Sequence, residues 1–122
     1  MNPADFAPTP QNLQQVLIKA WSLQSSSKWT PNNPARGQCG VTALVVNDLL
    51  GGEIVKTPLP DGVHFYNRIS GQRYDFTESQ FREPIVYEDQ LSSREEAFRD
   101  TNAEQYNYLK HAVVNFLSQY LP

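Results

Sequence analysis

Cys39, His64 and Asp75 are the residues whose types and order could make a nucleophilic site. A free thiol titrates at about 8.5, so at neutral pH only a few per cent of it is the reactive thiolate. An imidazole beside it can take the proton, and a carboxylate can hold the imidazole and stabilise its cation. In that arrangement Cys39 attacks a carbonyl, His64 takes and later returns a proton, and Asp75 orients His64. The product of the first step is an acyl-enzyme. Its tetrahedral precursor needs donors for a negative oxygen, and the expected ones are the helix-start N–H of Cys39 and the side-chain amide of Gln38.

These residues need elements to bring them together. Pro31, Asn32, Asn33, Pro34 and Gly37 cannot continue a helix, whereas Val41, Leu44, Val45, Val46, Leu49 and Leu50 recur at helical spacing on more than one face. Cys39 is therefore expected in the first turn of a helix buried over most of its circumference and ended by Gly51 and Gly52, where the backbone dipole favours thiolate. His64 to Ile69 and Gln72 to Thr77 read as two aromatic-rich strands around the tight turn Ser70-Gly71. With Ile69 opposite Gln72, Tyr66 falls opposite Asp75 and His64 opposite Thr77, so His64 and Asp75 share a face as diagonal neighbours. A slip of one residue would separate them.

The remaining segments are read more coarsely. Residues 1–10, with three prolines, are an expected irregular lead-in; a first amphipathic helix runs from Asn12 to near Gln24. Residues 53–57 read as a short strand closed by Pro58 and Pro60, 77–81 as a turn or single helical turn, and 84–87 as a last strand. Ser92 or Ser93 caps a short helix through Phe98, and Thr101 or Asn102 caps a long one reaching about Tyr120. The fold class is α+β in a single domain, residues 1–122: a central helix carrying the cysteine on a small antiparallel sheet, with N- and C-terminal helices.

Each candidate also has a plainer reading. Free cysteine is among the most buried residue types, so Cys39 could be an inert core thiol in a binding or regulatory module. Asp75 could pair with Arg68 or Arg73. Trp29 packs under its loop or walls a cleft beside Cys39. Tyr66 and Asn67 either line the site or serve as a core aromatic and a strand polar residue, and His111 reads as a surface or capping residue.

Composition narrows the classes. Among 122 residues, 13 acidic and 10 basic side chains give a net charge of −3 with no lysine or arginine block, which argues against nucleic-acid binding. No signal pattern is visible, and no apolar run approaches the roughly 18 residues of a membrane helix. The expectation is a soluble cytoplasmic protein, monomer or homodimer, acting on a small-molecule or peptide acyl substrate without metal or cofactor. A lone cysteine makes no internal disulfide, and His64 and His111 lie outside zinc-ligand spacing.

The run from Trp29 to Phe81 carries a resemblance. Asn-Pro-Ala-Arg-Gly-Gln-Cys-Gly-Val-Thr-Ala at 33–43, Gly51-Gly52, His-Phe-Tyr-Asn-Arg at 64–68 and the stretch Asp75–Phe81 resemble the YunG-like family of uncharacterised bacterial proteins. More distantly, a cysteine on a helix followed by histidine and aspartate on later strands is similar to papain-like enzymes in their transglutaminase and arylamine acetyltransferase arrangement. That resemblance implies a papain-like fold and assigns the three family roles to Cys39, His64 and Asp75. Papain-like proteases place a glutamine several residues before the cysteine, whereas Gln38 is adjacent to it.

Overall fold

The helix that begins at Cys39 is the element against which the rest of the chain packs. The computed structural model describes residues 8–119, which contain four α-helices and one four-stranded antiparallel sheet. In order these are α1 (Pro10–Ala20), α2 (Cys39–Leu50), β1 (Glu53–Leu59), β2 (Gly62–Ile69), β3 (Gln72–Tyr74), β4 (Gln90–Leu91), α3 (Arg94–Phe98) and α4 (Ala103–Ser118). Every residue of α2 from Cys39 to Val46 is buried. One apolar cluster joins Val41, Val45 and Val46 to α1 and α4 through Leu13, Val16, Leu17, Leu109 and Val113. A second joins Cys39, Ala43 and Leu44 to Ile54, Phe65 and Ala97 of the sheet and α3. With about 1.5–3 kcal/mol gained per fully buried aliphatic side chain, this two-sided burial holds a helix that lacks a side-chain cap at Gln38.

The sheet order is β3-β2-β1-β4. Ser70 (φ 52°) and Gly71 (φ 80°) both take positive φ, the demand of a type I′ turn, and set the pairs Ile69–Gln72, Arg68–Arg73 and Asn67–Tyr74. The expected register is present for these three pairs, but β3 ends at Tyr74, so Asp75 and Thr77, expected within the strand, lie in the turn beyond it and pair with no residue of β2. The strand expected at 53–57 instead runs on through Pro58 to Leu59 and forms a hairpin with β2, Thr57 opposite His64 and Leu59 opposite Gly62. Proline is accommodated because the Ile54 carbonyl, which accepts from Ser92 N–H at 2.9 Å, marks the even positions as facing β4. The donor that Pro58 lacks would point past the end of that two-residue strand.

Other boundaries also shift. Thr9 caps α1 with its hydroxyl on Asn12 N–H at 3.1 Å and Pro10 is the first helical residue, so the irregular lead-in ends one residue early; residues 1–7 lie outside the described part. Helix α1 stops at Ala20, before the expected Gln24, because the Ser25 hydroxyl accepts from the Ser22 N–H and donates to the Ser22 carbonyl in a local turn. The segment 84–87 is not a strand; the last one is Gln90–Leu91, held beside β1. Ser93 and Asn102 are the caps of α3 and α4. Tyr120 lies outside the described residues.

Candidate functional site

Cys39 enters α2 from a loop that closes tightly on itself. Gly37 has φ +75°, and a Cβ there would stand 2.5 Å from Ser26 Oγ and 2.8 Å from Lys28 Cβ, so glycine is required both for the turn and for the approach. Cys39 belongs to the smaller apolar cluster and is 8% exposed as a residue. Phe65, the strand residue after His64, packs in the same cluster, and its backbone favours the thiolate form. Burial opposes this more strongly and, with the nearby Asp100 carboxylate, pushes the thiol up to about 12. The helix-start position alone predicts a thiol shifted towards thiolate; in the packed structure desolvation reverses that direction.

His64 and Asp75 lie together, as the register requires. Nε2 of His64 is 2.7 Å from Oδ2 of Asp75, and the two side chains are 2% and 3% exposed. An ionised carboxylate only accepts, so Nε2 carries the proton, and in the neutral ring Nδ1 is the basic nitrogen. Nδ1 forms no hydrogen bond among the described residues. No hydrogen bond joins Cys39 to the imidazole; the side-chain partner of the sulfur is Oδ2 of Asp100 at 3.5 Å.

Asp75 is held from several sides. Thr77 donates its N–H at 3.1 Å and its hydroxyl at 3.2 Å to Oδ1, and Tyr87 donates its hydroxyl to Oδ2 at 2.7 Å. Burial and the bond to Asp75 push the Tyr87 phenol up, so it stays a donor. The His64 ring is stacked on Tyr66 with centroids 5.5 Å apart and meets the edge of Phe81 at 4.8 Å. Asp75 does not pair with Arg68 or Arg73, which bind Glu53 and Asp89.

The neighbouring candidates divide by what they touch. Tyr66 packs on the imidazole, while its hydroxyl anchors the loop before β4: it accepts from Asp89 N–H at 2.8 Å and lies 2.9 Å from the Asp89 carboxylate. The Asp89 carboxylate only accepts, so the Tyr66 proton goes to Asp89, and Thr57, which accepts from Glu88 N–H, gives its own proton to Tyr66. Asn67 donates to the Ala43 carbonyl at 3.1 Å and so clamps β2 to α2, one turn beyond Cys39. Gln38 is fully buried and directs its amide to the Ser22 carbonyl at 3.4 Å; it is not bonded to any group around the sulfur, contrary to the expected oxyanion donor. Trp29 is partly buried against the main core, which is the packing reading, and its buried Nε1 has no partner among the described residues. His111 is exposed on α4.

Sequence reasoning missed two residues here. Tyr87 was concealed in a segment taken for a strand. Asp100 stands in a polar stretch between helices, where an aspartate reads as a cap. Its signal was Gly40: a Cβ at that position would lie 2.5 Å from Asp100 Oδ2 and 3.0 Å from the Ala97 carbonyl, so the glycine marks a close approach to the helix start. The Gly40 N–H donates to Asp100 Oδ2 at 3.1 Å. Among the described residues no group of three or more His, Cys, Asp or Glu side chains is placed to hold a metal, and no helix is long and apolar enough to cross a membrane.

The fold is α+β, with a buried central helix that starts at the single cysteine and a buried histidine–aspartate pair carried by the sheet and the turn after it. Residues 9–118 match the YunG protein family, and the chain belongs to that family. It is 54% identical over 102 residues to "Uncharacterized protein YunG" of Bacillus subtilis (strain 168), a match covering 84% of this chain and 89% of that protein. No solved structure matches the chain at a significant level.

Proposed function

We propose that this chain is a small cytoplasmic cysteine hydrolase or acyltransferase of the papain-like, transglutaminase-like arrangement, acting on an amide, thioester or ester. The observation that carries the reading is the buried His64–Asp75 bond at 2.7 Å, with Nε2 committed to the carboxylate and Nδ1 left as a base on the strand whose next residue, Phe65, packs in one cluster with Cys39. The thiol proton passes to His64 as the Cys39 sulfur bonds to the substrate carbonyl carbon. Collapse of the tetrahedral intermediate breaks the bond to the leaving amine, thiol or alcohol, which takes the proton from His64. Water, or a second nucleophile, then gives a proton to His64, attacks the acyl carbon and releases Cys39 as thiolate, which recovers that proton. Tyr87 and Thr77 hold Asp75 so that the imidazole keeps one orientation.

The near-complete burial of the sulfur and its raised pKa favour a second reading, a binding module in which Cys39 is an inert core thiol. An aryl acetate distinguishes the two by intact-mass spectrometry. The enzyme reading expects Cys39 to gain and then lose one acetyl group, with His64→Gln and Asp75→Asn slowing both steps. Acetylation that occurs only on unfolding, or that ignores His64, leaves the binding-module reading in its place.

A further inference from the structure

The turn between α3 and α4 places a carboxylate where a substrate oxygen would have to go. Asp100 Oδ2 lies 3.1 Å from the Gly40 N–H and 3.5 Å from Cys39 Sγ, so one oxygen atom takes the helix-start donor and covers the nucleophile. The residue that supplies it is exposed, a surface residue reaching inwards.

Its attachment is uneven. The beginning of α3 is bolted down, with Glu96 on Lys56 of β1 at 2.6 Å and Arg94 on the Leu44 carbonyl of α2 at 3.2 Å and Asp48 at 3.0 Å. The end is not. Backbone N–H groups of Arg99, Asp100 and Thr101 bond to Glu96, Ala97 and Phe98, and Thr101 and Asn102 bond forward to Gln105. Among the described residues, the bonds of Asp100 Oδ2 to Gly40 and Cys39 are the only hydrogen bonds that tie residues 99–102 to a distant element.

We infer that Asp100 is a built-in latch: its carboxylate occupies the position of the substrate's acyl oxygen, and the turn Arg99–Asn102 must swing away for a carbonyl to reach Gly40 N–H and Cys39. The inference rests on the acyl-transfer reading for the identity of the displacing group, a neutral carbonyl oxygen. A carboxylate is the stronger acceptor but sits against the sulfur that must become negative. A carbonyl offers the same lone pair without that charge. The latch therefore opposes thiolate formation until substrate replaces it.

The test uses the intact chain and iodoacetamide at one fixed pH, with two readouts. Asp100→Ala and Asp100→Asn are expected to alkylate at Cys39 about tenfold faster than the native protein or more, the effect of roughly one unit of thiol pKa or its equivalent in access. In native protein, hydrogen exchange of residues 99–102 is expected to rise once Cys39 carries the carboxamidomethyl group, a readout that needs no variant. Folded Asp100 variants that alkylate no faster than native, or a turn equally protected after modification, overturn the latch. A faster Asp100 variant that never turns over aryl acetate keeps the latch and removes the enzyme reading; turnover in native protein unaffected by Asp100 substitution does the reverse.

Discussion

Two aspartates raise the Cys39 thiol by their charge, and they are held in opposite ways. Asp75 is buried and receives His64, Tyr87 and both donors of Thr77. Asp100 sits on an exposed turn and receives one amide and a thiol. A carboxylate surrounded by committed donors is a fixed part of the scaffold, because removing it strands several buried polar groups at once. One that caps a helix end from a surface turn can leave at modest cost, its donor passing to water or to a ligand. The difference separates the residue that builds the site from the one that closes it.

The largest expected effect comes from breaking the built side. Asp75→Ala leaves His64, Tyr87 and Thr77 without their acceptor and is expected to cost about 3–5 kcal/mol in denaturant titration, since each stranded buried donor costs about 1–3 kcal/mol. Asp75→Asn keeps the shape; it is expected to lower deacylation by roughly 10³–10⁴-fold through loss of the imidazole orientation, read by the lifetime of the acetylated species.

Alkaline pH sharpens the comparison from the side of the thiol. The Cys39 pKa is raised on folding to about 12, so the neutral buried thiol contributes stability fully below the ordinary thiol range and loses it as pH rises through that value. Relative to Cys39→Ala, the native chain is expected to lose up to about 4 kcal/mol between pH 9 and 12 in chemical denaturation. Asp100→Asn is expected to shrink that loss, because Asp100 is the second cause of the shift after burial.

Gly40→Ala probes the approach of the turn itself. Its Cβ would collide with Asp100 Oδ2 and with the Ala97 backbone, so a cost of about 1–3 kcal/mol in thermal or denaturant unfolding is expected, together with faster alkylation of Cys39. The smallest effect is that of Asp100→Ala on stability. Losing a carboxylate cap from an exposed turn is expected to cost about 1 kcal/mol, well below the Asp75 substitutions. Equal costs at the two positions would erase the distinction drawn between them.

What the sequence made legible follows from local rules. The helix start at Cys39 was marked by prolines and glycine before it and aliphatic periodicity after it. The His64–Asp75 pairing followed from one dipeptide, Ser70-Gly71, because a two-residue turn leaves a single register. The features that escaped depend on distant partners. Pro58 remains in a strand only because of which neighbour its nitrogen faces, and Gln90–Leu91 is a strand by virtue of β1. The direction of the Cys39 shift is set by burial against residues of the sheet and α3 and by the charge of Asp100, which no first-turn argument contains. Gly40 alone hinted at Asp100, as a space without a named occupant.

The position of Pro58 has a consequence for the sheet as a surface. Along the outer edge of β1, the Ile54 carbonyl is taken by Ser92, Lys56 faces Gln90, and the next outward nitrogen belongs to proline. The opposite edge is β3, three residues long with Arg73 in its middle. Among the described residues, neither this side, bordered only by the two-residue β4, nor β3 offers the uninterrupted row of free donors and acceptors that a strand from another chain would need, so the sheet is self-terminating against strand addition.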